Sequence, residues 1–510
     1  MPVAANGGDA MTALVCLLHA IYSILFIHVP AGTELRIRMN TPVASWSSSV
    51  DTPISAVLIA PVSVGGREAL HAGCLLSGRI KSVKRVGYGI LHERASMDLE
   101  FTSITLPDGA TKEMEARVAQ VDNGRERVNH AGLIEGIRAT SSISYRVSGY
   151  IKMALLWHFH AQIAAWAIKS LVVQLPEPEI YYPAGTELTL EVTSDMVLPA
   201  SPEGAEPAEK LASSELTELE SLAAAMPVRT IDPESDRLSD PTNILLVGSE
   251  SQITAAFRAA GWNSARPLSM RSRIGYIRAA AETRGYAAPP MTSLLLNEAE
   301  ADMCWQKGLN DLSKRHHLRV WKQPGRWQGQ ELWMAAASHD VDFAYLRPGR
   351  TFTHRIDANV DEEREKVTYD LAFSACASRV AWIDRPTVPQ SAQNGTGDSF
   401  VTDGRLAVVR FHECSAAPPV ALDASMPAIR GGKWQRLVRR EILVTRSDLI
   451  RANMYWRIYE VARRTFDLAR GHAHAASESA GDVSAHWPAL SLAWSSLQRQ
   501  VSRLRLALGA

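Results

Sequence analysis

The side chains best suited to chemistry crowd into one stretch of the chain. His316 and His317 are adjacent, His339 and Asp340 follow with Asp342 close behind, and His354 and Asp357 share the segment Thr353-His354-Arg355-Ile356-Asp357. Imidazole nitrogen together with carboxylate oxygen suits zinc, manganese or iron. His317, His339, His354 and Asp357 are therefore candidate metal ligands, and a bound ion would lower the pKa of water into a hydrolytic nucleophile. Without an ion, His339, Asp340, His354 and Asp357 are the candidate catalytic residues, with a His–Asp pair as general base. The competing reading is a set of structural clamps, because histidines hydrogen-bonded to carboxylates also fasten folds. Asp357 and Arg355 can likewise pair with charges in the helix that follows. Arg315, Arg319, Arg347 and Arg350 offer forked donors for an anion or phosphate, or simply solubilise a surface. The chain contains no His-Glu-x-x-His, P-loop, Gly-x-Ser-x-Gly or Gly-x-Gly-x-x-Gly motif, so the pattern names no reaction and no cofactor.

These residues need strands to hold them. Leu318-Arg319-Val320-Trp321, Leu332 to Ala337 and Leu406 to Val409 read as strands, and His316 and His317 on adjacent strand positions point to opposite faces, so at most one points inward. Ile244 to Val247 is a buried-strand run, broken at Gly248-Ser249. Glu250 to Ala260 then reads as a helix capped by Ser249 and stopped at Gly261. Strand followed by helix opens an α/β or α+β unit at Pro241. Asp361 to Ser378 reads as a helix with acidic residues in its first turn, where the helix dipole favours them. Gln390 to Asp403 is a polar loop.

Upstream, Pro30-Ala31-Gly32-Thr33-Glu34-Leu35 recurs as Pro183-Ala184-Gly185-Thr186-Glu187-Leu188. Each copy opens an alternating strand, with Leu35, Ile37 and Met39 in the first and Leu188, Leu190 and Val192 in the second. Short strand signals at Ser55 to Ala60, Cys74 to Ile80 and Met97 to Phe101, separated by glycine-bearing turns, predict a small sandwich or barrel. His71, His92 and His130 are scattered and form no constellation.

Length and composition bound the rest. The chain has 510 residues, with 54 basic and 54 acidic side chains and 46% hydrophobic residues. That suits several folded domains and argues against a nucleic-acid-coating protein. Five scattered cysteines without a Cys-x-x-Cys pair disfavour a disulfide scaffold or zinc ribbon. Met11 to Val29 carries no formal charge and approaches bilayer-spanning length, which predicts an N-terminal anchor or signal over residues 1–29. A second apolar stretch begins after Lys152. Its His158, Gln162 and Lys169 share a helical face, so it reads as a packing or interfacial helix. With only these two windows and a mean hydropathy of −0.09, a polytopic transporter is excluded. The expected order is anchor (1–29), β-rich domain (30–150), apolar helix with the second repeat copy (151–200), acidic linker (201–240), α/β-type domain (241–410) and basic helical extension (411–510). The linker is read as a solvated tether from its acidic excess. The extension is read as a helix packed on the preceding domain with its arginines solvated.

Residues 241 to about 410 resemble the LssY C-terminal domain. The matching features are Thr242 to Ser249, Ala260-Gly261-Trp262, Arg315 to Trp321, Leu332-Trp333 with Ala336 to Asp340, Phe352 to Asp357 and Thr402 to Val409. The resemblance implies a bacterial, commonly membrane-associated protein, in a family where the domain is sometimes fused to a type 2 phosphatidic acid phosphatase or a DedA-like membrane domain. The phosphatase signature is absent from this chain, so lipid phosphatase activity does not carry over. The expectation is an α+β protein of the bacterial cell envelope, membrane-associated, acting as a binding or scaffolding module for an envelope protein or lipid. The alternative is a metal- or His/Asp-dependent hydrolase of a phosphorylated or lipid substrate.

Overall fold

The computed structural model describes residues 26–89, 92–142, 176–199, 211–265, 270–283, 291–344, 353–414 and 432–452, with single positions between. It is α+β, built as a β-barrel lobe joined to a sheet-and-helix lobe. In the barrel, strands β1 (Glu34–Met39), β2 (Pro53–Leu58), β3 (Leu75–Lys84), β4 (Ser96–Thr105), β5 (Thr111–Val121) and β6 (Glu187–Val192) close in the order β4-β3-β2-β1-β6-β5-β4. Alternation places Leu35, Ile37, Leu188, Leu190, Leu99 and Phe101 inside. Closure leaves this sheet without the exposed edges that invite aggregation. The expected sandwich-or-barrel is thus a barrel.

The repeated hexapeptides build the seam of that barrel. Strands β1 and β6 pair antiparallel, with Leu35 opposite Leu190 and Ile37 opposite Leu188. Gly32 donates to Val192 O at 2.8 Å, and Gly185 donates to Met39 O at 2.7 Å. Each turn therefore caps the far end of the other copy's strand. Within each turn the threonine hydroxyl bonds back to the proline carbonyl, Thr33 to Pro30 and Thr186 to Pro183. Gly32 and Gly185 sit at φ of 87° and 92°, a region where a Cβ is unfavourable.

One sequence expectation needs correction in this lobe. Phe26–Val29 is a strand paired antiparallel with Met196–Pro199, and its Ile27 and Val29 are buried. The apolar opening segment therefore ends before Phe26, because its last four residues find β partners instead of a helical turn. The rest of residues 1–29, and most of the apolar stretch after Lys152, lie outside the described residues. No described helix is long and apolar enough to cross a membrane.

The second lobe is a mixed sheet with both faces covered. Its order is β8 (Met303–Lys307), β9 (Arg315–Trp327), β10 (Gln330–Ala344), β7 (Ile244–Val247), β13 (Arg405–Phe411) and β12 (Ala377–Asp384), with β11 (Thr353–Ile356) added to the end of β10. All four residues of β7 are buried, as the apolar run requires for a strand covered on both sides. Helices α2 (Glu250–Ala259) and α4 (Val360–Phe373) pack one face through Phe257, Val367 and Leu371. Ser249 caps α2 by accepting from the Gln252 N–H, as its sequence suggested. Helix α1 (Ser213–Ala224) lies on the other face, where Leu219 and Ala223 are buried. The acidic stretch from Leu211 to Asp240 is thus part of the folded lobe and not a tether. On α1, Glu218 and Glu220 are exposed while the apolar Leu219 and Ala223 face the sheet.

The C-terminal helix α5 (Lys433–Ala452) returns to the barrel and not to the lobe before it. Leu443 joins the barrel core, Arg439 pairs with Glu177 and Glu179, and Arg446 donates to Gly87 O. The helix therefore engages two of its arginines instead of leaving them all to solvent. A disulfide, Cys376–Cys414, ties the start of β12 to the chain leaving β13.

Candidate functional site: a cleft between the lobes

The barrel presents the turn Asp122-Asn123-Gly124-Arg125-Glu126 to the second lobe. Asn123 takes a left-handed conformation, φ 52°, which asparagine tolerates better than most residues. Arg125 N donates to Asn310 Oδ1, Asn310 Nδ2 donates to Glu126, and Lys314 Nζ donates to Gly124 O. Beneath this turn lies a buried charge cluster. Lys307 Nζ reaches Glu187 at 2.7 Å and Asp370 at 2.8 Å, Lys366 Nζ reaches the same pair at 2.6 and 2.9 Å, and Arg38 binds Glu187 at 2.6 Å. Glu187 and Arg38 come from the barrel seam, and the other three residues from the second lobe. Burial alone would raise the Glu187 carboxyl, but Lys307, Lys366 and Arg38 hold it well below the usual range.

A cleft of about 150 Å³ opens above this cluster, lined by Asp122, Glu187, His316, His339, Asp357 and Lys366 among others. His316 stands between two carboxylates. Its Nδ1 donates to Glu363 Oε2 at 2.6 Å, and its Nε2 donates to Asp122 at 2.9 Å. Burial lowers its pKa, but Asp122 and Glu363 outweigh that and push it up to about 10. His339 stacks on it with ring centroids 4.2 Å apart and donates through Nε2 to Asn123 Oδ1 at 3.0 Å. Burial, together with the neighbouring His316 charge, pushes His339 down to about 3.

The opposite face of the same strand pair carries a second cluster. Arg315 lies across from Asp340 and His317 across from Ser338, whereas His316 lies across from His339. Strand alternation thus sends the neighbours to opposite sides. Arg315 Nε donates to Asp340 at 2.7 Å, and His317 shares a 3.1 Å hydrogen bond with Ser338. Tyr276, on α3 (Met270–Glu282), hydrogen-bonds His354 Nε2 at 2.8 Å. His317 and His354 each stand 3.6 Å from Asp340. Burial drives His317 down to about 3, so it is neutral at physiological pH.

The sequence-predicted site is therefore divided. His339 and Asp357 belong to the cleft, where Asp357 N donates to His339 O and Asp357 Oδ1 accepts from Asn359 N. Asp340, His354 and His317 gather on the other face. The proposed ligands His317, His339, His354 and Asp357 do not meet at one centre, because His317 and His339 are separated by the sheet itself. Both His316 and His317 are buried, at 5% and 4% exposure. The expectation that at most one points inward fails because the sheet has no solvent face at this position. Arg315 and Arg319 are buried as well, so they are not surface solubilisers, and Arg347 and Arg350 lie outside the described residues. Sequence reasoning missed Asp122 and Glu363. Asp122 sits some two hundred residues from His316 in sequence, and nothing local marks it. Glu363 was visible only as a first-turn helix acid.

Comparison with known protein families bears on the second lobe. Residues 225–406 match the family model described as the LssY C-terminus. No curated protein matches the chain. Among solved structures, ComB10 of the Com type IV secretion system of Helicobacter pylori aligns at 11% identity over 36% of this chain and 96% of its own, with a TM-score of 0.20. At that score the likeness carries no argument about fold or function. The stretch from 225 to 406 takes in His316, His339 and Glu363 and leaves out Asp122, so the barrel completes a cleft whose other wall lies in the region that matches the LssY C-terminus.

Proposed function

We propose that the chain is a binding or scaffolding module of the bacterial envelope, membrane-associated, with the cleft between its lobes as the surface that receives an envelope protein or lipid. The observation that carries this reading is the division of the polar residues. The residues that sequence reasoning offered for catalysis and metal binding are split by the sheet: Asp340, His317 and His354 are paired with one another on the face away from the cleft, with Asp340 and His317 buried. Such clusters fasten a fold. The remaining open polar surface is a rigid cleft between lobes locked by buried ion pairs, which suits recognition. An envelope setting is supported by the Cys376–Cys414 pair, since disulfides persist in oxidising compartments. The resemblance of residues 241–410 to a commonly membrane-associated family supports it as well.

The test places a photo-crosslinking residue at exposed Glu362, on the rim of the cleft, and a control at Leu238 on the far side of the second lobe, in intact bacterial envelopes. A defined adduct from position 362 and none from 238, with the chain in the membrane fraction and inert toward a phosphoester panel, is the expected result. Turnover of a phosphoester, abolished by His339→Ala in a protein that stays folded, would replace this reading with the hydrolase.

A further inference from the structure

The geometry points to a divalent transition-metal site at the cleft, of the zinc class, with Asp122 of the barrel and His316 and His339 of the second lobe as its protein ligands. One donor atom from each of these three side chains lies within 4.8 Å of the other two. Two imidazoles and one carboxylate are a ligand set that zinc and its neighbours accept while keeping a position open. The contacts are already close to the spacing of ligands around one ion. Asp122 Oδ1 and Oδ2 stand 2.9 and 3.0 Å from His316 Nε2. Ligands each about 2.1 Å from a tetrahedral ion are about 3.4 Å apart, so these groups would open by only about half an ångström. An ion would thus take the place of the proton now shared between His316 and Asp122. Asn123 Oδ1, 3.0 Å from His339 Nε2, offers a further oxygen at the same kind of spacing.

A second, independent observation concerns Glu363. Its Oε2 accepts from His316 Nδ1 at 2.6 Å, which fixes the ring and leaves Nε2 turned toward Asp122. A metal-ligating histidine is commonly held in this way through its far nitrogen. Glu363 is 2% exposed and lines the cleft, yet its Oε1 accepts no hydrogen bond from any described residue. A buried carboxylate oxygen without a donor is costly unless positive charge stands near it. The ion would take over the positive charge that the His316 proton now brings to Glu363, beside that of Lys366, and would bridge the lobes, since neither lobe holds the ligands alone. The cleft leaves room for water or a ligand atom on the open side of the ion.

The inference stands on ligand geometry and not on the scaffolding reading. A chain that binds metal but gives no crosslink at position 362 would leave it intact. The test uses the full chain, stripped with a chelator and titrated with Zn²⁺ by calorimetry and with Co²⁺ by visible absorption. Expected are one equivalent of either ion and a tetrahedral or five-coordinate Co²⁺ spectrum. Asp122→Asn and His339→Gln should each weaken binding at least about tenfold, and Glu363→Gln about ten- to a hundredfold. His354→Gln, on the other face of the sheet, should leave affinity unchanged. Circular dichroism of each metal-free variant checks that the fold survives, and the wild-type titration stands without the variants if one does not. A folded wild type that takes up neither ion overturns the site, as does metal affinity indifferent to Asp122→Asn and His339→Gln.

Discussion

His316 and His317 share a peptide bond and live in opposite electrostatic worlds. His316 faces the barrel between Asp122 and Glu363 and is held as a cation, pushed up to about 10. His317 faces the sealed side, where burial outweighs Asp340, with Arg319 and Arg315 adding to the depression, and it is pushed down to about 3. Residue type is the same and the positions are adjacent. What differs is how many carboxylates come within hydrogen-bond reach, two for His316 and none for His317. Charge on a buried histidine is thus decided by partners that the local sequence does not show.

The largest expected effect tests the sealed face. Asp340→Ala leaves Arg315 buried without its 2.7 Å partner, and should cost about 3–5 kcal/mol, as breaking a buried pair does. Asp122→Ala, on the cleft side where the carboxylate is 21% exposed, should cost less, about 1.5–3 kcal/mol for a hydrogen bond to a charged group. Urea denaturation of both variants checks the order, and a reversal would mean that the cleft and not the sealed face holds the lobe together.

The pH dependence of the metal-free protein should separate the two faces next. His316 has a folded pKa above its unfolded value of about 6.5. Its stabilisation is therefore complete below pH 6.5 and is lost as pH rises through about 10. Lys366, raised by Asp370, Glu187 and Asp122 against the effect of burial, stays charged through that window. Stability should fall across it by at most about 1.4 kcal/mol per pH unit, and His316→Gln should flatten the slope. His317 and His339 have the opposite sign, since their folded pKa values lie below the unfolded one. Their contribution is complete above pH 6.5 and is lost as pH falls toward about 3. His317→Asn should relieve that acid-side loss in part, while leaving the alkaline limb as it was.

The smallest effect concerns Ser338→Ala, which removes the hydroxyl paired with His317. It should cost about 1 kcal/mol and leave metal affinity at the cleft unchanged. A larger stability loss would show that Ser338 ties His317 to the Asp240 carboxylate, 3.4 Å from the same hydroxyl.

Much of the scaffold was legible in the residues. The run Ile244 to Val247 and the Ser249-capped helix fall where the sequence puts them. The alternating strands after both hexapeptides are also found, because alternation and capping are local rules. Three features were not local. The acidic stretch reads as a tether by composition, yet Leu219 and Ala223 give it a face to bury. Phe26–Val29 reads as the end of an apolar helix, yet Met196–Pro199 offers it a strand to pair with. At the site, His339 and Asp357 were marked by type and spacing, whereas Asp122 was invisible because its meaning depends on the barrel docking against β9 and β10.

The reciprocal seam of the barrel also fixes an order of assembly. Strand β6 closes the ring against β1, its partner more than a hundred and fifty residues earlier, and the same strand carries Glu187, the anion that receives Lys307 and Lys366. During synthesis the ring cannot close until the second hexapeptide has emerged. The cleft takes one wall from each lobe, so it needs the closed ring as much as the later chain.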